Sequence, residues 1–219
     1  MRAQHEARAL ALLRELAGVD QPMTPQAATL TVGGPLPPDN HVFFYSDVSS
    51  ETCLTMLHEV RRADALLRAE RATRDIPAHI PATPIWLHIQ SFGGDLFAGL
   101  SACDQLARFQ TPIYSIVEGV CASAGTLLSM ACARRYILPS SFMLVHQMST
   151  LMMGTHEQFK DEMKLQEAAM NRLIQFYAAR SDMGEVELRE TLKRDFWMSA
   201  GEALEKGFVD EIVALPSMS

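Results

Sequence analysis

Between residues 85 and 145 the chain alternates short apolar runs with helix-forming segments. Residues 85–89, 112–117, 136–138 and 142–145 read as strands, and 95–109 and 122–133 as helices. A β-α-β-α order of this kind has one economical solution: right-handed crossovers between parallel strands, with helices covering the sheet. The expected class is therefore α/β. With 219 residues, 48% of them hydrophobic, the chain can bury one substantial core.

The flanks extend this pattern. Residues 1–17 have the spacing of a short amphipathic helix that stops at Gly18, and residues 28–32 and 41–45 have strand character around the 33–38 turn region. Ser50 is placed to cap a helix over 51–71 with Leu54, Leu57, Val60, Ala63 and Leu67 on its inner face, followed by a Pro-containing loop over 72–83. Residues 155–179 form a long helical run and 185–193 a shorter one. Ser199 and Glu202 make a capping box for a helix ending at Gly207, before a last strand over 209–213. The division expected is an N-terminal extension over 1–40 and one catalytic-sized domain over 41–219.

Charge and cysteine content exclude several classes. The 19 basic and 26 acidic residues leave a net charge of −7 and no long Lys/Arg run, so a nucleic-acid backbone is not an expected partner. Cys53, Cys103, Cys121 and Cys132 form no CxxC pair and read as free thiols of a reducing compartment. The first fifteen residues carry Arg2, Glu6, Arg8, Arg14 and Glu15, unlike a secretory signal, and the apolar stretch 113–132 is interrupted by Glu118. A cytoplasmic protein without a membrane span is expected. His5-Glu6, His58-Glu59 and His156-Glu157 each open like a zinc-protease helix, but Ala9, Arg62 and Lys160 stand where the second His is required. No metal and no cofactor is expected.

Four features carry chemistry. The turn Gln90-Ser91-Phe92-Gly93-Gly94-Asp95 lacks a nucleotide-binding fingerprint, yet its glycines can expose backbone N–H groups as an oxyanion hole does; the alternative is a plain tight turn. Ser123, in Gly119-Val120-Cys121-Ala122-Ser123-Ala124-Gly125, sits at a strand-to-helix junction among small residues, where it is either a nucleophile or a helix cap. His146 ends the apolar strand at 142–145, as a base or as a satisfied core histidine. Asp195 lies between Lys193-Arg194 and the apolar triplet Phe196-Trp197-Met198, which should draw it toward the core; it is an orienting carboxylate, an ion-pair partner or a helix-end cap. Gly94, Ser123, His146 and Asp195 are separated by 29, 23 and 49 residues. The order Ser, His, Asp is not that of chymotrypsin, subtilisin or the α/β-hydrolases, so a triad here belongs to a different fold.

Residues 85–214 resemble the ClpP family of the ClpP/crotonase superfamily. The resemblance rests on Ile89-Gln90-Ser91-Phe92-Gly93-Gly94 with Ala98-Gly99-Leu100, on Ala122-Ser123-Ala124-Gly125, on Tyr136-Ile137-Leu138-Pro139 with Val145-His146-Gln147, and on Arg194-Asp195-Phe196-Trp197-Met198-Ser199-Ala200 with Gly207-Phe208-Val209-Asp210. It implies repeated β-β-α units with a protruding handle helix over 155–179. It further implies a serine endopeptidase with Ser123 as nucleophile, His146 as base, Asp195 as orienter, and the N–H groups of Gly94 and Ala124 as oxyanion hole. The implied assembly is a homo-oligomer of two stacked heptameric rings, a tetradecamer, fed with polypeptide substrates by an AAA+ unfoldase. Phe92, Ala124, Met148 and Lys193 depart from the family's usual residues but leave the triad positions intact. Other readings are a phage-type prohead protease on the same fold, a catalytically weak structural subunit of a mixed ring, and an acyl-CoA enzyme that uses the oxyanion hole without a Ser-His pair.

Overall fold

A computed structural model describes residues 40–77, 79–149 and 153–213. Its elements run β1 (His41–Tyr45), α1 (Ser50–Thr73), β2 (Ile85–Ser91), α2 (Leu96–Leu106), β3 (Ile113–Ala122), α3 (Ala124–Met130), β4 (Arg134–Ile137), β5 (Phe142–Val145), α4 (His156–Ala178), α5 (Glu185–Thr191), β6 (Phe196–Ser199), α6 (Ala200–Glu205) and β7 (Glu211–Ile212). Strands β1-β2-β3-β4-β7 lie side by side and parallel. The outer part of β3 also pairs with β5, which carries β6 antiparallel on its far side. The result is the mixed α/β, mostly parallel architecture that the alternating pattern implied.

Burial alternates along each strand, as the two-residue repeat of extended backbone requires. Val42 and Phe44 of β1, Ile85, Leu87 and Ile89 of β2, and Ile113 and Val117 of β3 point into the helical layer. Fully burying a side chain such as Leu87 or Ile89 is worth about 1.5–3 kcal/mol. Their neighbours on the other face are mostly aromatic or histidine: Phe43 stacks on His88 with ring centroids 4.4 Å apart, and Trp86 meets Tyr114 edge-on. That face also carries a relay in which His41 Nδ1 lies 2.8 Å from His88 Nε2, His88 Nδ1 lies 2.8 Å from Glu118 Oε1, and Tyr45 donates to Glu118 Oε2.

Every residue of α3 is buried, which its composition Ala-Gly-Thr-Leu-Leu-Ser-Met permits. A Cβ at Gly125 would stand 3.1 Å from Ser91 Cβ, and one at Gly99 would stand 3.2 Å from Leu127 Cδ1, so glycine lets α3 settle against both β2 and α2. The hydroxyls of Ser115 and Ser129, both buried, satisfy each other at 2.9 Å. Helix α4 is divided along its length. Ala169, Leu173, Ile174, Phe176 and Tyr177 in its second half are buried, whereas Phe159, Met163 and Leu165 in its first half are exposed.

Several expectations need correction. Ser49, not Ser50, caps α1, and the inner face includes Cys53 and Met56 while Leu54 is exposed. The helices expected over 95–109 and 122–133 are shorter, because Asp95 serves as cap of α2 and β3 continues to Ala122. Helix α5 ends at Thr191, and the last strand is confined to β7. Strand β6 was not anticipated. Asp195 lies exposed just before it rather than near the core, because Phe196 and Met198 turn inward and the alternation leaves Asp195 and Trp197 on the other face, and no ion pair joins Asp195 to Arg194 among the described residues. The helix expected over 1–17 and the strand over 28–32 lie outside the described residues. Of the four free cysteines, Cys53, Cys103 and Cys121 are buried and Cys132 is partly so.

Candidate active site

Ser123 is the single residue between the end of β3 and the start of α3, and it holds φ 52° and ψ −128°. Positive φ on a residue with a Cβ costs on the order of 1–3 kcal/mol and survives only where the surroundings impose it. They do so from three sides. The Ser123 N–H donates to Leu144 O at 2.8 Å, its carbonyl accepts from Thr126 N at 3.0 Å, and the same carbonyl accepts from Thr126 Oγ1 at 2.6 Å. Although Ser123 occupies the N-cap position of α3, its hydroxyl caps nothing, so the cap explanation of this serine fails.

The Gly-Gly turn after β2 fits against this junction. Gly93 and Gly94 have φ of 98° and 143°. A Cβ at Gly93 would meet Ser123 Cβ at 2.6 Å and Ala122 O at 2.8 Å, and a Cβ at Gly94 would reach Val48 O at 2.2 Å. The turn is pinned by Val48, whose N–H donates to Gly93 O at 2.7 Å and whose carbonyl accepts from Asp95 N at 2.8 Å. That bridge uses the groups on either side of the Gly94 N–H and leaves this donor outside it. The Ala124 N–H, first in α3, is one of the four that helical bonding leaves over. Asp95 does not confront the site as a bare charge: its Oδ1 accepts from Ala98 N at 2.7 Å as the cap of α2.

Gly94, Ser123, Ala124 and His146 line one cleft of about 290 Å³, walled by Leu96, Phe97, Leu127, Leu173 and Tyr177. The sheet register explains how His146 arrives there. Ala122 pairs with Leu144 across β3 and β5, so Ser123 and His146 leave the sheet at the same end. On the far side of β5, Val145 pairs with Phe196, and one further step of that register sets His146 opposite Asp195. The backbone beyond is tied as well, Gln147 N donating to Leu192 O at 2.7 Å. Asp195 itself does not line the cleft, and among the described residues no hydrogen bond joins the side chains of Ser123, His146 and Asp195. Two groups at the site escaped sequence reasoning: Thr126, which holds the Ser123 carbonyl, and Tyr177, whose OH lies 2.7 Å from Thr126 Oγ1 and whose ionisation burial pushes well up. The spacing Ser123-x-x-Thr126 at a helix start was the available signal.

The profile of the Clp protease family matches residues 46–215. The chain belongs to the Clp protease family. Among its relatives are the ATP-dependent Clp protease proteolytic subunit 1 of Protochlamydia amoebophila, 31% identical over 61% of this chain and 66% of the relative, and the proteolytic subunit of Streptococcus sanguinis, 33% identical over 62% and 71%. The proteolytic subunit 2 of Tropheryma whipplei is 35% identical over 60% and 74%. The matched region thus spans about two thirds to three quarters of each relative's length. The Clp protease family is one of proteolytic hydrolases, and the matched segment contains both the Gly-Gly turn and the Ser123 junction. Among the described residues no helix is long and apolar enough to cross a membrane, and no group of three His, Cys, Asp or Glu side chains could hold a metal ion.

Proposed function

We propose that this chain is a Clp-type serine endopeptidase in which Ser123 is the nucleophile, His146 the base and Asp195 its orienter, with the Gly94 and Ala124 N–H groups as oxyanion hole. The observation that carries the reading is a serine held at positive φ with an uncapped hydroxyl, in a cleft shared with a histidine and with a glycine N–H that the adjoining bridge leaves over. His146 takes the Ser123 proton as Oγ attacks the scissile carbonyl carbon, and the oxyanion forms against the two backbone donors. Collapse breaks the C–N bond as His146 protonates the departing amine. Water, deprotonated by His146, then releases the acyl group and restores Ser123.

Residues 41–219 form the peptidase domain in this reading and 1–40 an extension. The exposed Phe159, Met163 and Leu165 on α4 suit burial against a second subunit, which supports a closed homo-oligomer; fourteen subunits of 24.3 kDa make an assembly of about 340 kDa. The relatives are named ATP-dependent, which favours an AAA+ unfoldase as partner and unfolded polypeptide as substrate. Free thiols at all four cysteines favour a reducing cytoplasm.

A fluorophosphonate probe tests the chemistry. It is expected to label wild type at Ser123, with Ser123→Ala unlabelled and slower in peptide cleavage by on the order of 10⁴-fold or more. An unlabelled wild type, or a Ser123→Ala protein of undiminished activity, overturns the assignment.

A further inference from the structure

The face of the sheet turned away from the helices holds a chain of titratable side chains that the chemistry above leaves unused. β1 supplies His41 and Tyr45, β2 supplies His88 and β3 supplies Glu118. His41 Nδ1 lies 2.8 Å from His88 Nε2, His88 Nδ1 lies 2.8 Å from Glu118 Oε1, and Tyr45 donates to Glu118 Oε2. His88 and Glu118 are half-buried, and Phe43 stacks on the His88 ring. Burial and the Glu118 carboxylate push the Tyr45 hydroxyl up to about 12, so it remains a donor throughout the range in which histidines titrate. Ring contacts place Tyr114 of β3 and Tyr136 of β4 on the same face, where Arg134 lies over the Tyr136 ring and pairs with Glu211 at 3.0 Å.

The chain has room for one added proton and not for two. A carboxylate only accepts, so His88 Nδ1 carries a proton, and in the uncharged pair His88 Nε2 accepts from His41 Nδ1. One proton from solvent makes either ring a cation that still donates along the chain, and every bond survives. A second proton finds a single ring lone pair left, the one inside the contact between the two imidazoles. Filling it turns two N–H groups toward each other on cations whose rings are 5.1 Å apart, and the contact must open. We propose that the His41–His88–Glu118–Tyr45 chain is an acid-operated clasp, which holds the start of β1 on the sheet until both imidazoles are charged and then releases it. Burial and the neighbouring His88 hold His41 below the ordinary 6.5, so the folded state takes up this proton less readily than the unfolded chain. The stabilisation is therefore present above about pH 6.5 and is lost as pH falls below it. β1 is an outer strand paired with β2, and beyond the clasp its start is tied by Asn40, whose carbonyl accepts from Trp86 N at 2.7 Å. Release parts that bond and leaves the start of β2 as an unpaired edge in acid alone.

Residue-resolved hydrogen exchange on the assembled full-length protein at pH 7.5 and pH 5, corrected for the pH dependence of chemical exchange, tests the clasp. The Trp86 amide reports on the start of β1, and the Val48 amide, which donates to Gly93 O at 2.7 Å past the other end of that strand, is the control. In wild type, protection at Trp86 should fall by about tenfold in acid while Val48 is unchanged. His41→Phe keeps a ring beside Trp86 and removes the second proton site, so its Trp86 amide should be equally protected at both pH values. The other histidines titrate in both proteins, so the difference isolates this pair; should circular dichroism show the Phe variant misfolded, His41→Gln takes its place. Wild-type protection that ignores pH overturns the proposal. So does an equal fall in the variant, which assigns the effect to another group, and so does a fall at Trp86 and Val48 together, which is general unfolding. None of these readouts uses Ser123, so probe labelling there judges the protease reading separately.

Discussion

The Tyr177 hydroxyl lies 2.7 Å from that of Thr126, deep in the core, and joins α4 to the turn that carries Ser123. Thr126 uses its own proton on the Ser123 carbonyl at 2.6 Å, so Tyr177 is the donor of the pair. Tyr177→Phe removes that donor and leaves a buried oxygen short of a partner. Stability should fall by about 1 kcal/mol, read from chemical denaturation, and peptide turnover should drop severalfold as the Thr126 hydroxyl that braces the Ser123 carbonyl loses its own support.

Gly93 is where the Gly-Gly turn presses directly on Ser123. Gly93→Ala sets a Cβ 2.6 Å from Ser123 Cβ on a backbone at φ 98°. The expected cost is about 2–4 kcal/mol together with near-complete loss of probe labelling at Ser123, measured by thermal unfolding and intact mass. A variant that labels normally removes the claim that this turn sets the serine's geometry.

Asp195→Asn keeps the shape of the strand start and withdraws the charge. Turnover is expected to fall by on the order of 10³–10⁴ with little change in KM, measured in steady-state peptide assays. Normal turnover would leave His146 to be oriented by another group.

These residues differ in how far the sequence exposed them. The Gly93-Gly94 turn and the Ser123 junction were legible because two glycines between a strand and a helix have few other uses, and because small residues on both sides of a serine leave its oxygen open. The register that sets His146 opposite Asp195 was not legible. It depends on β6, four residues of which only Met198 is fully buried, too short and too mixed to show a repeat. Leu54 was placed inward since leucine in an amphipathic helix usually is, but the cap one residue earlier and the inward Cys53 and Met56 show where the buried stripe lies. Strand β1 presents the same difficulty: Val42 and Phe44 are buried while Phe43 and Tyr45 are exposed, and all four are apolar or aromatic.

Arg135 and Asp210 fasten the C-terminal segment to β4. The Arg135 guanidinium meets both carboxylate oxygens, at 2.5 and 3.2 Å, and the Arg135 N–H donates to Asp210 at 2.7 Å. Burial pushes the Asp210 carboxyl up, but these contacts outweigh it and hold the group below its ordinary 3.8. The folded state therefore releases this proton more readily than the unfolded chain. The stabilisation is present at neutral pH and is lost as pH falls below about 4. Asp210→Asn should unfold at lower temperature than wild type at pH 7, with the gap narrowing toward pH 2.5 in thermal scans.

Met163→Glu tests assembly. Its side chain is exposed on the first half of α4, so a single folded subunit tolerates the charge whereas a buried intersubunit face does not. Native mass spectrometry should show smaller species that keep the wild-type circular dichroism spectrum. Leu173→Glu, in the buried half of the same helix, should instead lower the unfolding temperature.

Cys121 is completely buried on β3, two residues before Ser123, and burial pushes its thiol far above the ordinary range. A thiol so placed reacts with an alkylating reagent only when β3 parts from its neighbours. Its modification is thus a clock wound by the strand that leads into Ser123: each alkylated molecule records one excursion of that strand. Comparing its rate with and without an acyl group on Ser123 times how firmly the strand is held once Ser123 is acylated.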